Sequence, residues 1–234
     1  MGLFRRRRPA PEAPPPAPPR RLWRRLGRGA LRLFVAVVLV VAFFGVVRPP
    51  TTWTILTESR HPRVWVRLDD IAPVMARSAV AAEDANFCLH WGFDMAEIRK
   101  VVASGGTRGA STISQQVVKN VFLWQGGGWW RKLPEAALTP ILEATWSKRR
   151  ILETYLNVAE FGPGVFGIHA AAAHHFKTTP DKLTVDQAAR LAAILPAPKT
   201  RDPKAVPGRR VRAIADGAAT IARDGRDICF KPRG

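Results

Sequence analysis

The sequence contains very little cysteine, and this scarcity excludes the protein classes that depend on it. Among the 234 residues only Cys88 and Cys229 are cysteines, so a framework of several disulfides cannot form. The sequence also has no Cys-x-x-Cys pair and no Cys/His spacing typical of a structural metal site. The sequence alone does not decide whether the two cysteines form a single disulfide, and the favoured prediction is two independent, half-buried thiols.

Acidic residues are scarce as well. The chain has 18 Asp and Glu against 37 Lys and Arg, which gives a net charge of +19. Residues 1–48 contain eleven Arg and one Glu, or +10, and this leaves +9 for residues 49–234. A basic domain of this kind favours polyanionic partners, such as nucleic acid, anionic lipid headgroups or phosphorylated substrates.

Strand-forming patterns are rare and internal repeats are absent, so a mainly α domain is predicted. Only residues 51–67, with Thr, Ile, Trp and Val in loose alternation, are expected to form an extended segment. Capping residues and helix breakers predict helices over 71–82, 95–103, a segment carrying Gln115 to Lys119 behind Ser111 or Thr112, 134–146, 148–156 and 185–195.

The N-terminal 48 residues do not have the composition of a globular domain. Residues 1–29 are rich in Arg and Pro and are expected to be a disordered cytoplasmic tail. Residues 30–48 form an almost wholly apolar run that is long enough for a transmembrane anchor, and residues 49–234 are predicted to be one globular domain. A cleaved signal peptide and a buried core helix are the alternatives. The Arg excess before the run predicts a cytoplasmic N-terminus and a domain on the periplasmic side of the inner membrane.

Two adjacent carboxylates, Glu83 and Asp84, follow the apolar segment 71–82 and precede an aromatic bend. A partly desolvated carboxylate at such a position gains proton affinity and becomes suited to work as a general base. A carboxylate pair alone is weak evidence, because many helices end on surface acids. The three polar segments that follow it in the chain strengthen the prediction.

Those segments, together with the first, make four motifs in order: Glu83-Asp84-x-x-Phe87-x-x-His90-x-Gly92-Phe93-Asp94, Gly109-Ala110-Ser111-Thr112-Ile113-Ser114-Gln115-Gln116-x-x-Lys119-Asn120, Arg131-Lys132-x-x-Glu135, and Lys148-x-x-Ile151-Leu152-Glu153-x-Tyr155-Leu156-Asn157. This series closely resembles the peptidoglycan glycosyltransferases (glycosyltransferase family 51) over residues 60–200. The single domain behind one anchor resembles the monofunctional biosynthetic members. The resemblance implies a lysozyme-like helical domain.

The resemblance also implies a reaction. An inverting transfer passes the lipid-pyrophosphate-linked glycan chain to the 4-hydroxyl of lipid II, and undecaprenyl diphosphate leaves. Glu83 resembles the family's catalytic base and Glu135 its second essential carboxylate. A divalent cation (Mg or Mn) is expected from the resemblance only, and other cell-wall synthesis proteins are possible partners. Direct displacement needs no enzyme nucleophile, and no convincing Ser/His/Asp set is present.

The remaining site predictions concern substrate binding. Cations suit a leaving diphosphate because they make several charge-assisted bonds to it. The residues expected to bind substrate are Asp84, Ser111, Thr112, Gln115, Gln116, Lys119, Asn120, Arg131 and Lys132. The fourth motif is expected mainly to hold helices together, through Glu153, Tyr155 and Asn157.

One departure from the family pattern concerns the loop before Arg131. Relatives usually carry an Arg there, whereas this chain has Gly126-Gly127-Gly128, which predicts weaker binding of the donor. The alternative is that Arg108, or one of Arg149 and Arg150, takes the place of the missing Arg. Trp124, Trp129 and Trp130 flank that loop and either dip into the membrane or pack against the domain.

Two rival functions fit part of the sequence. A lysozyme-like muramidase would share the architecture, but it has no use for the predicted diphosphate cradle. A membrane-tethered nucleic-acid binder would explain the charge but not the acidic residues, and no nucleic acid is expected as a partner.

Overall fold

The computed structural model describes residues 20–62, 64–105, 111–124, 126 and 128–231, without the side chains of residues 20–22 and 129. The chain divides into two compact units, residues 1–39 and residues 40–234. The first unit contains the beginning of a long helix, and the second contains the end of that helix and the whole of the following domain.

Helix α1 spans Arg20–Val46, and its segment Trp23–Val46 is long and apolar enough to cross a membrane. Its 24 residues extend over about 36 Å at ~1.5 Å per residue, which exceeds a hydrocarbon core of ~30 Å. The helix is therefore compatible with a single-pass anchor. The prediction of disorder up to residue 29 is wrong for residues 20–29, which are helical because no proline lies between Pro19 and Pro49 and because Arg, Leu and Ala favour helix. Residues 1–19 lie outside the described part.

The domain is helical, which confirms the predicted fold class. Among the described residues no strand is present, and one isolated β-bridge joins Glu160 and Phe166. The helices are α2 (Trp53–Glu58), α3 (Pro73–Glu83), α4 (Met95–Ala103), α5 (Ile113–Phe122), α6 (Lys132–Thr145), α7 (Lys148–Val158), α8 (Ile168–Phe176), α9 (Val185–Ile194) and α10 (Gly208–Arg223), with short 3₁₀ turns at Leu68–Asp70, Trp129–Arg131, Pro180–Lys182 and Pro203–Ala205.

Local capping chemistry decides most helix starts. The side chains of Asp94, Ser147 and Thr184 cap α4, α7 and α9, which begin where the sequence predicted helices. The predicted extended segment at 51–67 is wrong for its first half, because the Thr52 hydroxyl accepts a hydrogen bond from the amide of Ile55 and starts α2. The helix predicted from residue 71 begins at residue 73, after a 3₁₀ turn.

Small residues let α3, α9 and α10 pack closely around a common core. Ala79 of α3 and Ala189 of α9 are completely buried. A Cβ placed on Gly217 of α10 would lie only 3.2 Å from the Cβ of Ala81, so the two helices touch just before Glu83. Helix α5 packs on α6 and α7. The end of α3 and the start of α5 therefore face a shared cleft.

The two cysteines form a disulfide, with an S–S distance of 2.04 Å and a Cα–Cα distance of 5.7 Å. The prediction of two independent thiols is therefore wrong. The cysteines are 141 residues apart in the chain, and it is the packing of α10 on α3 that brings Cys229 to Cys88. No local sequence pattern predicts that Cys88 and Cys229 lie close together.

The last turns of α1, from residue 40 onward, are bonded to the domain. The indole Nε1 of Trp146 donates to the carbonyl of Val41 at 2.7 Å. The guanidinium of Arg150 donates to the carbonyls of Phe44 and Val47 at 3.1 and 2.9 Å. Carbonyl oxygens at a helix C-terminus have no partner within the helix, and Arg150 supplies one to these two.

Candidate active site

A cleft of about 560 Å³ lies between the end of α3, helix α5 and the segment after α9. Its walls carry five of the residues that the sequence singled out: Glu83, Ser111, Gln116, Lys119 and Asn120. Tyr155 from α7 and Glu160 from the following loop also contribute to the lining. The structure therefore brings the first two motifs together across one cavity.

Glu83 is the last residue of α3, and its side chain is largely withdrawn from water. Burial raises the pKa of Glu83 above its usual 4.5, and a hydrogen bond from Gln116 opposes this rise. The charges of Arg210 and Lys119 also lower the pKa of Glu83, whereas neighbouring Asp84 raises it. A raised pKa in a carboxylate that faces a cleft is what a general base needs.

Gln116 connects this carboxylate to the chain's single tyrosine. Its Nε2 donates to Oε2 of Glu83 at 2.8 Å, and its Oε1 accepts a longer hydrogen bond of 3.4 Å from the Tyr155 hydroxyl. Burial raises the pKa of Tyr155 well above its usual value, so the phenol stays protonated and can donate. The amide therefore fixes the direction of the Glu83 carboxylate.

Asp84 has a different position from the one predicted, because its side chain does not line the cleft. It is almost fully buried, and its two oxygens bond the amide of Ile113 at 2.9 Å and Nε2 of His90 at 2.7 Å. An anion at the first amide of α5 also stabilises the N-terminus of that helix. We therefore reassign Asp84 from substrate binding to holding α3, α5 and the following loop in register.

Thr112 and Gln115 are likewise buried supports rather than cleft residues. They form the capping box of α5, in which each side chain bonds the other residue's amide. The Thr112 hydroxyl in addition donates to the carbonyl of Gly92 at 2.7 Å. Both were predicted to bind substrate, but their side chains bond within the protein and do not line the cleft.

A cationic group lies beside the second carboxylate. Glu135 is 1% exposed, and its two oxygens are bonded by Nη1 of Arg131 at 2.8 Å and by Nζ of Lys132. Lys132 also donates to Ser111 Oγ at 3.1 Å, and Ser111 is part of the cleft wall. Glu135 therefore orients the two cations instead of facing substrate itself.

Lys119 joins this group electrostatically from α5. Burial lowers the pKa of Lys119, and the positive charges of Arg131 and Lys132 lower it further. The negative charges of Glu135 and Glu83 oppose that change. Lys119 therefore lies close enough to interact electrostatically with both Glu83 and Glu135. It stands between the proposed base and the cations Arg131 and Lys132.

Several neighbours of the site were missed by sequence reasoning. Arg210 of α10 reaches the field of Glu83 through tertiary packing, and nothing in its local sequence marks it. Glu143 of α6 is buried, where it accepts hydrogen bonds from Ser114 and from Lys148. Ser114 lies in the second motif and Lys148 opens the fourth. The presence of both motifs was the one sequence signal that could have pointed to Glu143, which bonds a residue of each.

Glu153 and Asn157 have a structural role, as predicted, but they hold a non-helical segment rather than another helix, and Tyr155 of the same motif lines the cleft. Glu153 accepts from Trp65 Nε1 and from the amide of Leu68, each at 3.0 Å, and Asn157 bonds the amide and carbonyl of Val66. Both side chains hold the extended segment before α3 against α7.

The loop before Arg131 is described only in part. The structure does not describe Gly127 of this loop or the side chain of Trp129. Gly109 and Ala110 of the second motif also lie outside the described residues. The rings of Trp124 and Trp130 lie with their centroids 5.2 Å apart and their planes tilted by 43°, and both side chains remain substantially exposed.

Comparison with known proteins places this geometry in context. Residues 51–221 match the family described as Transglycosylase. The chain is 54% identical to the biosynthetic peptidoglycan transglycosylase of Jannaschia sp. (strain CCS1) over 210 residues, which cover 87% of this chain and 88% of that protein. It is 44% identical over 180 residues to the protein of the same name from Marinomonas sp. (strain MWYL1), covering 74% and 80% of the two chains.

Proposed function

The chain belongs to the transglycosylase family of peptidoglycan glycosyltransferases, and from this premise we propose that it polymerises glycan strands from lipid II. In the proposed reaction the lipid-pyrophosphate-linked glycan is transferred with inversion to the 4-hydroxyl of lipid II, and undecaprenyl diphosphate leaves. The observation that carries the proposal is the placement of the half-buried Glu83 in one cleft with Lys119.

Glu83 supplies the base of this reaction. The 4-hydroxyl of the acceptor gives its proton to Glu83 as its oxygen attacks the anomeric carbon of the donor. Because burial already raises the proton affinity of the carboxylate, the transfer is less uphill than it would be to an exposed acid. The hydrogen bond from Gln116 occupies Oε2 and leaves Oε1 for the acceptor.

The departing diphosphate develops negative charge, and cations that are already in place stabilise it. Lys119 lies in the cleft wall, and Lys132 reaches the same wall through Ser111. Arg131 is held by Glu135 and by the carbonyl of Gly126, which its Nε contacts at 2.8 Å. We assign the diphosphate to these three cations, with Asn120 and Gln116 toward the sugars.

The divalent cation expected from the family resemblance does not find a ligand set here. Among the described residues no group of three His, Cys, Asp or Glu side chains could hold a metal ion. Glu135, the carboxylate nearest the proposed diphosphate, already has a cation on each oxygen. The described residues therefore offer no cage that would hold a metal by protein ligands alone, and no step of the proposed reaction passes through one.

The proposed location is the inner membrane, with the N-terminus in the cytoplasm and the domain in the periplasm. The Arg-rich sequence before the apolar part of α1 favours a cytoplasmic N-terminus. The disulfide supports an exported domain, since such bonds persist mainly in oxidising compartments. This location places the cleft on the side where lipid-linked glycan precursors are polymerised.

A muramidase is the rival function to be tested. The purified protein is incubated in parallel with lipid II and with finished glycan strands, and the products are separated by size. A polymerase lengthens lipid II into strands and leaves finished strands intact. Shortening of finished strands without polymerisation of lipid II would overturn the proposal.

A further inference from the structure

The chain continues past α10 into a short segment, residues 224–231, which we call the C-terminal strap. It lies beyond residues 51–221, the part that matches the family. The strap packs against residues 84–94, which we call the catalytic loop because it follows directly on Glu83 and leads to the cap of α4.

Three contacts join the strap to the first five residues of the catalytic loop. The disulfide binds Cys229 to Cys88, and Nη1 of Arg226 donates to the carbonyl of Ala85 at 3.3 Å. The rings of Phe230 and Phe87 lie 6.2 Å apart, and both are buried. The strap therefore holds the backbone just after Glu83 by a covalent bond, a polar bond and an apolar contact.

The strap is itself held by two helices of the domain. Asp227 is buried and accepts from Nε of Arg77 in α3 at 3.1 Å. Arg149 of α7 donates to the carbonyls of Phe230 and Lys231 at 3.3 and 2.9 Å. Because its anchors are the framework helices, the strap ties the catalytic loop to a rigid body rather than to another loop.

We propose that the C-terminal strap positions the catalytic base, by keeping the catalytic loop closed against α3 through Cys229, Arg226 and Phe230. The proposal rests on the proposed role of Glu83. No described residue of the strap lines the cleft. The strap acts through the loop whose Asp84 and His90 fix the junction of α3 and α5.

A loosened loop has two measurable consequences. Misplacement of a base by a fraction of an ångström to 1 Å lowers kcat by roughly tenfold to a hundredfold, with little change in KM. Water that enters beside Glu83 reduces the burial that raises its pKa, so the acid limb of the kcat profile moves to lower pH. The charged groups that face Glu83 (Asp84, Lys119 and Arg210) are unchanged in every variant below.

The test measures polymerisation of lipid II by the full-length protein across pH. The double variant Cys88→Ser/Cys229→Ser is expected to show the lower kcat and the shifted acid limb, at a temperature where its circular dichroism is that of the parent. Ile228→Ala is the matched control within the strap, because this side chain is 80% exposed, and it is expected to behave as the parent.

A double variant that folds and keeps the parental kcat and acid limb would overturn the proposal. If the double variant does not fold, Arg226→Met decides, because methionine has no donor for the carbonyl of Ala85 and the disulfide stays in place. It is expected to shift kcat and the acid limb in the same direction by a smaller amount, and parental values would again overturn the proposal. A parent protein that makes no polymer overturns the proposed function, and this proposal with it.

Discussion

Nε2 of Gln116 lies 2.8 Å from Oε2 of Glu83, so an amide from the second sequence motif sets the orientation and the proton affinity of a carboxylate from the first. This hydrogen bond lowers the pKa of Glu83 against the larger upward effect of burial. The two residues therefore act as one unit, in which burial raises the pKa of the carboxylate and the hydrogen bond from the amide limits that rise.

Replacement of Gln116 by leucine should shift the pH dependence of polymerisation. Loss of the hydrogen bond removes an effect that lowers the pKa of Glu83, so the pKa rises further and the acid limb moves to higher pH. The rate of lipid II consumption measured across pH checks this expectation.

Gln187→Leu is the matched control for that measurement. Gln187 closes the capping box of α9, so its loss destabilises the fold by about 1 kcal/mol without altering the environment of Glu83. An acid limb that is unmoved in Gln116→Leu, or moved equally in both variants, would contradict the assignment.

Glu83→Gln should stabilise the folded domain at neutral pH. The folded-state pKa of Glu83 is raised above 4.5, so its stabilising contribution is present below the unfolded-state pKa and is lost as pH rises through the folded-state pKa. The neutral amide avoids that loss, and the variant should therefore have the higher Tm at pH 7. Thermal unfolding from pH 4 to pH 8 tests this, with the difference in Tm vanishing near pH 4. A lower Tm for the variant at pH 7 would count against burial as the source of the raised pKa.

Glu135→Gln should reduce both stability and activity, in contrast to Glu83→Gln. The substitution removes the negative charge that pairs with Arg131 and Lys132 in a site where the carboxylate is 1% exposed. Lys132 can turn toward solvent, so the expected loss is about 2 kcal/mol, or a Tm lower by about 4–8 °C. Calorimetry and polymerisation assays on the same preparation measure the two effects. An unchanged Tm with lost activity would instead mean that Glu135 contacts substrate directly.

The sequence predicted the helical fold and the members of the cleft, but not the division of labour among them. Caps such as Asp94, Ser147 and Thr184 bond an amide three residues further along the chain, so they can be predicted from the local sequence alone. Asp84 and Thr112 lie in the expected motifs, yet their burial follows from the contact of the catalytic loop with the start of α5, which a local pattern does not contain. Substrate-binding and supporting polar residues look alike until that packing is known.

The disulfide and Arg210 show the same limit more strongly. Cys229 and Arg210 reach the catalytic loop and the base only because α10 packs on α3. Their distance from Glu83 along the chain gives no hint of the contact. The start of α1 at Arg20 was mispredicted for a local reason. Residues 1–29 are rich in both Arg and Pro on average, but their prolines end at Pro19, so the residues after it can form a helix.

The most direct test of the central claim compares Glu83→Gln with Glu160→Gln in polymerisation of purified lipid II. Both carboxylates line the same cleft, and burial raises the pKa of both, but only Glu83 senses Lys119 and bonds Gln116. Loss of the base should lower turnover by at least about a hundredfold, whereas Glu160→Gln should retain turnover of the parental order. Normal strands from Glu83→Gln would contradict the account.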